Sequence, residues 1–166
     1  LSPLQIKQKN LTDTLLRELK SNHLSPEHLK LEITESVIMQ DLEKSVQLLD
    51  TFRDIGVTVA IDDFGTGYSS LSYLQKFPID NIKIDRSFIW TMQKGDNNHI
   101  LVKAISNMAS NLNLQIIAEG IETREQLELL QGLGCEYGQG FYFSKPLPPE
   151  EMEDLLLKRS GSRDLS

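Results

Sequence analysis

Apolar residues recur along this chain in two alternating rhythms. From Leu4 to Leu19 they fall three or four apart, the spacing of an amphipathic helix, with Ser2 as its cap and Pro3 in its first turn. Residues 41–55 repeat that rhythm through Leu42, Val46, Leu49 and Phe52, and Gly56 ends it. Further helices are predicted over Leu71 to Lys76 (stopped by Pro78), 97–111, 123–131 (capped by Thr123, ended by Gly132) and 149–158. Between them lie short apolar runs at 29–34, 57–62, 81–84 and 114–118, read as strands, and a strand or loop at 135–143.

Short buried strands alternating with helices predict βα units and a parallel sheet. A doubly wound sheet and a (β/α)8 barrel both give that pattern. No glycine-rich dinucleotide fingerprint follows the first strand, which weighs against the doubly wound nucleotide-binding form. A complete barrel needs about 250 residues, so roughly a third of one is expected to lie outside this chain.

Strand side chains alternate faces with a period of two. One face carries Leu31 and Ile33; Val57, Val59 and Ile61; Ile82 and Ile84; Leu114, Ile116 and Ala118. The other face carries Glu32, Asp62, Lys83 and Glu119, each near the C-terminal end of its strand. That end holds the active site in α/β barrels. Three carboxylates and a lysine on one face need charge compensation, and a hard divalent cation supplies it through carboxylate oxygens. Asp62 and Asp63 lead into Phe64-Gly65-Thr66-Gly67, a loop whose glycines allow close approach to a ligand.

Composition narrows the partners. The net charge is −7, with 17 basic and 24 acidic residues, so a bulk electrostatic grip on a nucleic-acid polymer is not expected. Cys135 is the one cysteine, which excludes an internal disulfide and fits a reducing cytoplasm. His23, His28 and His99 have no metal spacing, and Cys135, Phe88 and Trp90 read as packing residues. Phe141, Tyr142 and Phe143 are assigned to the core, with a base pocket as the alternative. The polar tail over 159–166 is expected to be flexible.

Five strings occur in one order: Leu31-Glu32-Ile33-Thr34-Glu35-Ser36, Asp62-Asp63-Phe64-Gly65-Thr66-Gly67-Tyr68-Ser69-Ser70-Leu71, Ile82-Lys83-Ile84-Asp85, Ala118-Glu119-Gly120-Ile121-Glu122 and Cys135-Glu136-Tyr137-Gly138-Gln139-Gly140. In these residues the chain resembles the EAL domain, the bacterial phosphodiesterase domain that linearises cyclic di-GMP to pGpG with Mg²⁺ or Mn²⁺. The resemblance covers residues 1–158 and implies a (β/α)8 barrel with an antiparallel first strand. It implies that Glu32 and Asp62 hold a first metal and Asp63 a second. Lys83 then holds the nucleophilic water or a phosphate oxygen, and Glu119 is a second-metal ligand or the acid/base partner of the water. Glu35 matches the glutamate that pins the loop Asp63–Ser70; Phe64, Asp85, Glu122 and Gln139 match loop-anchoring or substrate-contacting groups.

One departure accompanies these matches. The Glu-Ala-Leu strand, with its metal-binding glutamate and phosphate-contacting arginine, and the asparagine before Leu1-Ser2 do not occur in the chain. The 166 residues alone are therefore expected to be inactive, with the parent protein supplying the rest alongside sensory or GGDEF domains. The other reading is a non-catalytic module that binds cyclic di-GMP or mediates dimerisation. Unpaired strand edges are expected to favour a homodimer, through those edges or swapped elements.

Overall fold

In the computed structural model, which describes residues 1–8, 10–67 and 74–160, the apolar runs become a parallel sheet. Its five strands are β1 (Lys30–Thr34), β2 (Thr58–Phe64), β3 (Asn81–Ile84), β4 (Gln115–Ala118) and β5 (Tyr137–Gly138). They lie side by side in chain order, each parallel to the next. The connections run through α1 (Pro3–Ile6), α2 (Leu11–Ser21), α3 (Glu35–Ile38), α4 (Leu42–Asp54), α5 (Arg86–Trp90), α6 (Asn97–Asn111), α7 (Arg124–Gly132) and α8 (Pro149–Ser160). This is the parallel βα architecture expected of a (β/α)8 barrel, with five strands among the described residues. β1 and β5 each pair on one side only within that sheet.

Helix ends sit where short polar side chains can bond the free N–H groups. Asp41, Asp85, Asp96 and Thr123 each accept from a backbone N–H at the start of α4, α5, α6 and α7. The apolar stripe of α4 lies against β2, burying Leu49 and Phe52. β3 is buried on both faces: Ile82 and Ile84 under the helices, Asn81 and Lys83 on the opposite side. Asn81 Nδ2 donates to Gln115 Oε1 at 2.9 Å, tying β3 to β4 on that face.

Several elements differ from the sequence reading. The helix predicted over 4–19 is two helices, α1 and α2. Within 135–143 only Tyr137–Gly138 is strand. Half of the helix predicted over Leu71 to Lys76, residues 71–73, lies outside the described residues, as do residues 161–166 of the tail. Among the described residues no helix is long and apolar enough to cross a membrane.

Gln126 was not singled out from the sequence, although Thr123-Arg124-Glu125-Gln126 has capping-box spacing. Its Oε1 accepts from the N–H groups of Glu122 and Thr123 at 2.8 and 3.0 Å. Its Nε2 donates to the carbonyls of Ile89 and Trp90 at 3.2 and 3.3 Å. One buried amide thereby locks the end of α5 to the start of α7, and with it the segment from Glu119 to Glu122.

Candidate active site

β1, β2, β3 and the end of β4 bring four predicted residues to one point. Lys83 Nζ lies 2.7 Å from Glu32 Oε2, 3.0 Å from Asp62 Oδ1 and 2.5 Å from Glu119 Oε1. The Lys83 side chain is 4% exposed, while those of Glu32, Asp62 and Glu119 are 43%, 23% and 16% exposed. The lysine is therefore the floor of the site and the acids are its rim. Burial works against the ammonium, but the bonds from Glu119, Glu32 and Asp62 outweigh it and raise its pKa above the ordinary lysine value. It stays charged at neutral pH. Glu119 is pushed up by burial, with Lys83 pulling the other way and Asp62 and Glu32 adding to the rise.

Asp62 and Asp63 sit at a bulge. Ile61 pairs with Ile82 and Phe64 with Ile84, so the two aspartates together face Lys83. Asp63 has a φ of 55°, the left-handed region that aspartate tolerates better than most side chains. Such conformations concentrate at functional sites. The sequence placed Asp63 at the start of a loop; the structure keeps it and Phe64 in β2. The bulge sets both aspartates opposite Lys83 in the strand register, with the Asp62 carboxylate on its ammonium. Burial raises the Asp63 pKa, with Asp62 and Asp85 adding to the rise and Lys83 opposing it.

Behind the bulge, Glu35 is buried at the start of α3. Its Oε2 accepts from the Gly65 N–H at 3.4 Å, and its Oε1 has no partner among the described residues. A Cβ at Gly67 would stand 2.7 Å from that Oε1, so glycine lets the backbone lie over the carboxylate. Tyr68 to Ser70 lie outside the described residues.

Gln139 Nε2 donates to the same Glu119 oxygen that meets Lys83, at 2.9 Å. Glu119, Glu122 and Gln139 border a cavity of about 420 Å³ that Arg86, Trp90, Phe141 and Lys145 also line. Arg86 lies over the Trp90 ring at 5.7 Å, and Lys145 over the Phe141 ring at 6.0 Å. The sequence reading assigned Trp90 and Phe141 to packing; they are 58% exposed at this cavity. Arg86 and Lys145 were not singled out, and no local spacing joins residues so far apart in sequence. Two further candidates take other places. Phe64 is buried in the hydrophobic core, and Asp85 caps α5 by accepting from the Ser87 N–H at 3.0 Å.

The donors present are hard carboxylate oxygens, the type that Mg²⁺ and Mn²⁺ take. Glu32, Asp62, Asp63 and Glu119 fit such a cation by chemistry. As arranged, three of them are gathered around an ammonium, and among the described residues no three acids form a ready metal cage.

Comparison with known proteins gives the family and the fold. The family model described as EAL domain matches residues 1–146. The bifunctional diguanylate cyclase/cyclic di-GMP phosphodiesterase MucR of Pseudomonas aeruginosa is 43% identical over 152 residues, covering 92% of this chain and 22% of that protein. A solved structure of the MucR phosphodiesterase, a c-di-GMP complex, superposes with a TM-score of 0.88 at 43% identity, covering 92% of this chain and 62% of that one. Klebsiella pneumoniae BlrP1, solved with manganese and cyclic di-GMP, gives a TM-score of 0.79 at 31% identity, covering 86% of this chain and 36% of that one. The chain spans about a fifth of the length of the curated relatives it matches, between 19% and 22% for three of them.

Proposed function

The chain belongs to the EAL domain family, and on that premise we propose that it forms the larger part of a divalent-cation-dependent phosphodiesterase domain that opens cyclic di-GMP to linear pGpG. The observation that carries this reading is the convergence of Glu32, Asp62 and Glu119 on the buried Lys83 at the C-terminal ends of parallel strands. Glu32 and Asp62 would hold one cation and Asp63 a second, with Glu119 as ligand or proton acceptor. When bound, the cations supply Lewis acidity and a more acidic water.

The protein groups have separate tasks. Lys83 presents a fixed positive charge where negative charge grows on the phosphate. Glu119 is oriented by Gln139, and its raised pKa suits it to take the proton of the attacking water. The water oxygen bonds to phosphorus, the P–O3′ bond breaks, and the departing oxygen takes up a proton. The cavity beside Glu119 offers aromatic faces and cations for a nucleotide half. Glu35 holds the backbone from Gly65 to Gly67 behind Asp63.

This reading assigns turnover to a polypeptide in which a Glu-Ala-Leu strand precedes Leu1, and none to the 166 residues alone. This reading also puts the domain in the cytoplasm, in a homodimer and with sensory or GGDEF domains in the same protein; MucR, which joins diguanylate cyclase and phosphodiesterase activity, supports the pairing with a cyclase domain alone. Chromatography of cyclic di-GMP incubated with the longer parent protein tests the activity. The expected result is conversion to pGpG with Mn²⁺ or Mg²⁺ and none after chelation. Binding without conversion under every metal condition would favour the sensor reading instead.

A further inference from the structure

Lys83 occupies the position at which its neighbours' charges meet. Its ammonium has three N–H bonds, and three carboxylates stand at 2.7, 3.0 and 2.5 Å from Nζ, so every donor has a partner. Those are hydrogen-bond distances to nitrogen. A Mg²⁺ ion takes its oxygens at about 2.0–2.1 Å in near-octahedral geometry. Oxygens gathered about Nζ cannot be ligands of a cation while all three remain on the lysine. The same acids fit a cation by donor type yet form no metal cage among the described residues.

We propose that Lys83 is the resident counter-cation of the metal-free site, and that a divalent cation binds in competition with it, withdrawing Glu32 and Asp62 from the ammonium. The inference rests on the divalent-cation reading given above. It gives Lys83 a second role beside its catalytic one, as a positioning residue. Without metal, the lysine holds three like charges together on a rigid sheet. With metal, it is left on Glu119 and becomes available to a phosphate oxygen. The same exchange lowers cation affinity, because the ammonium's charge repels the cation and its hydrogen bonds occupy the ligands.

The geometry favours exchange over simple addition. Lys83 is pinned at the floor by β3, whose backbone pairs on both sides with β2 and β4, so the lysine has little room to withdraw as a whole. Glu32 is the most exposed of its partners, and Asp62 sits at the bulge. These two acids are the ones placed to turn outward.

Two measurements on the longer parent protein decide the matter. Mn²⁺ titration followed by electron paramagnetic resonance compares the wild-type protein with Lys83→Met at one pH and ionic strength. Removing the competing charge is expected to tighten Mn²⁺ binding by about tenfold or more. The second needs only the folded wild-type protein. The Lys83 ammonium, shielded and fully bonded, is expected to give a side-chain ¹H–¹⁵N resonance without metal that shifts on saturation with Mg²⁺. Equal or weaker Mn²⁺ binding by a folded Lys83→Met, or an ammonium resonance unmoved at saturating Mg²⁺, overturns the competition and leaves the cation reading standing. Failure of the wild-type protein to bind Mn²⁺ overturns both.

Discussion

Replacing Lys83 with alanine is expected to lower kcat for cyclic di-GMP by on the order of a hundred- to a thousandfold. The ammonium is buried, charged and aimed at the point where three strand-end carboxylates meet. A fixed charge in such a place stabilises a transition state without first having to reorganise. Its loss therefore falls on kcat, while weaker binding of the guanine halves at the cavity would appear in KM. The expected signature is a large fall in kcat at saturating Mn²⁺ with unchanged far-ultraviolet circular dichroism. A folded variant within about threefold of wild type would remove Lys83 from the chemistry. The same substitution is not expected to weaken cation binding, which separates it from replacement of Glu32 or Asp62.

The second large effect is on stability. Phe52→Ala should destabilise the fold by about 3–5 kcal/mol, read from urea unfolding. Phe52 is fully buried on the face of α4 that covers β2. The ring fills the layer directly behind the strand that carries Asp62 and Asp63, and sheet and helix backbones cannot close over the space it leaves. A loss of less than about 1 kcal/mol would mean that α4 is not packed on β2 as described.

The features readable from sequence are those set by local pattern. α6 spans Asn97–Asn111, as its apolar spacing predicts, and the strand faces sort Glu32, Asp62, Lys83 and Glu119 onto one side because a period of two is a local property. The bulge at Asp62 and Asp63 was not readable. It arises from the pairing register with β3, which no alternation within 57–62 can contain. That shift also explains Phe64: one residue past the bulge, its ring enters the core and not the site. Arg86 and Lys145 do not stand out in the sequence, and Trp90 and Phe141 read there as packing residues (a base pocket being the alternative for Phe141), because only the folded chain brings the start of α5 next to the segment after β5. Gln126 was half readable. Its capping box is a local motif, but its two bonds to the end of α5 depend on helix packing.

Glu35 shows how a motif match and a geometric role can coincide. The resemblance assigned it to the loop after Asp63, and its carboxylate does receive the Gly65 N–H while Gly67 passes over it. Asp85 lies in an equally good motif match, yet its carboxylate caps α5. Asp85 also lies close enough to Asp63 to add to the rise of its pKa, so the cap and the site share that carboxylate.

The central claim is that Glu32, Asp62, Lys83 and Glu119 act as one site on a cyclic dinucleotide. Its most direct test is diffraction from crystals of the longer parent protein grown with Mn²⁺ and cyclic di-GMP, with anomalous data collected at the manganese edge. The expected result is an anomalous peak within bonding distance of Glu32 and Asp62, a ligand phosphate beside Lys83 and Glu119, and a guanine in the cavity bordered by Trp90 and Phe141. Manganese or the dinucleotide bound elsewhere, with the three carboxylates still closed on Lys83, would contradict it.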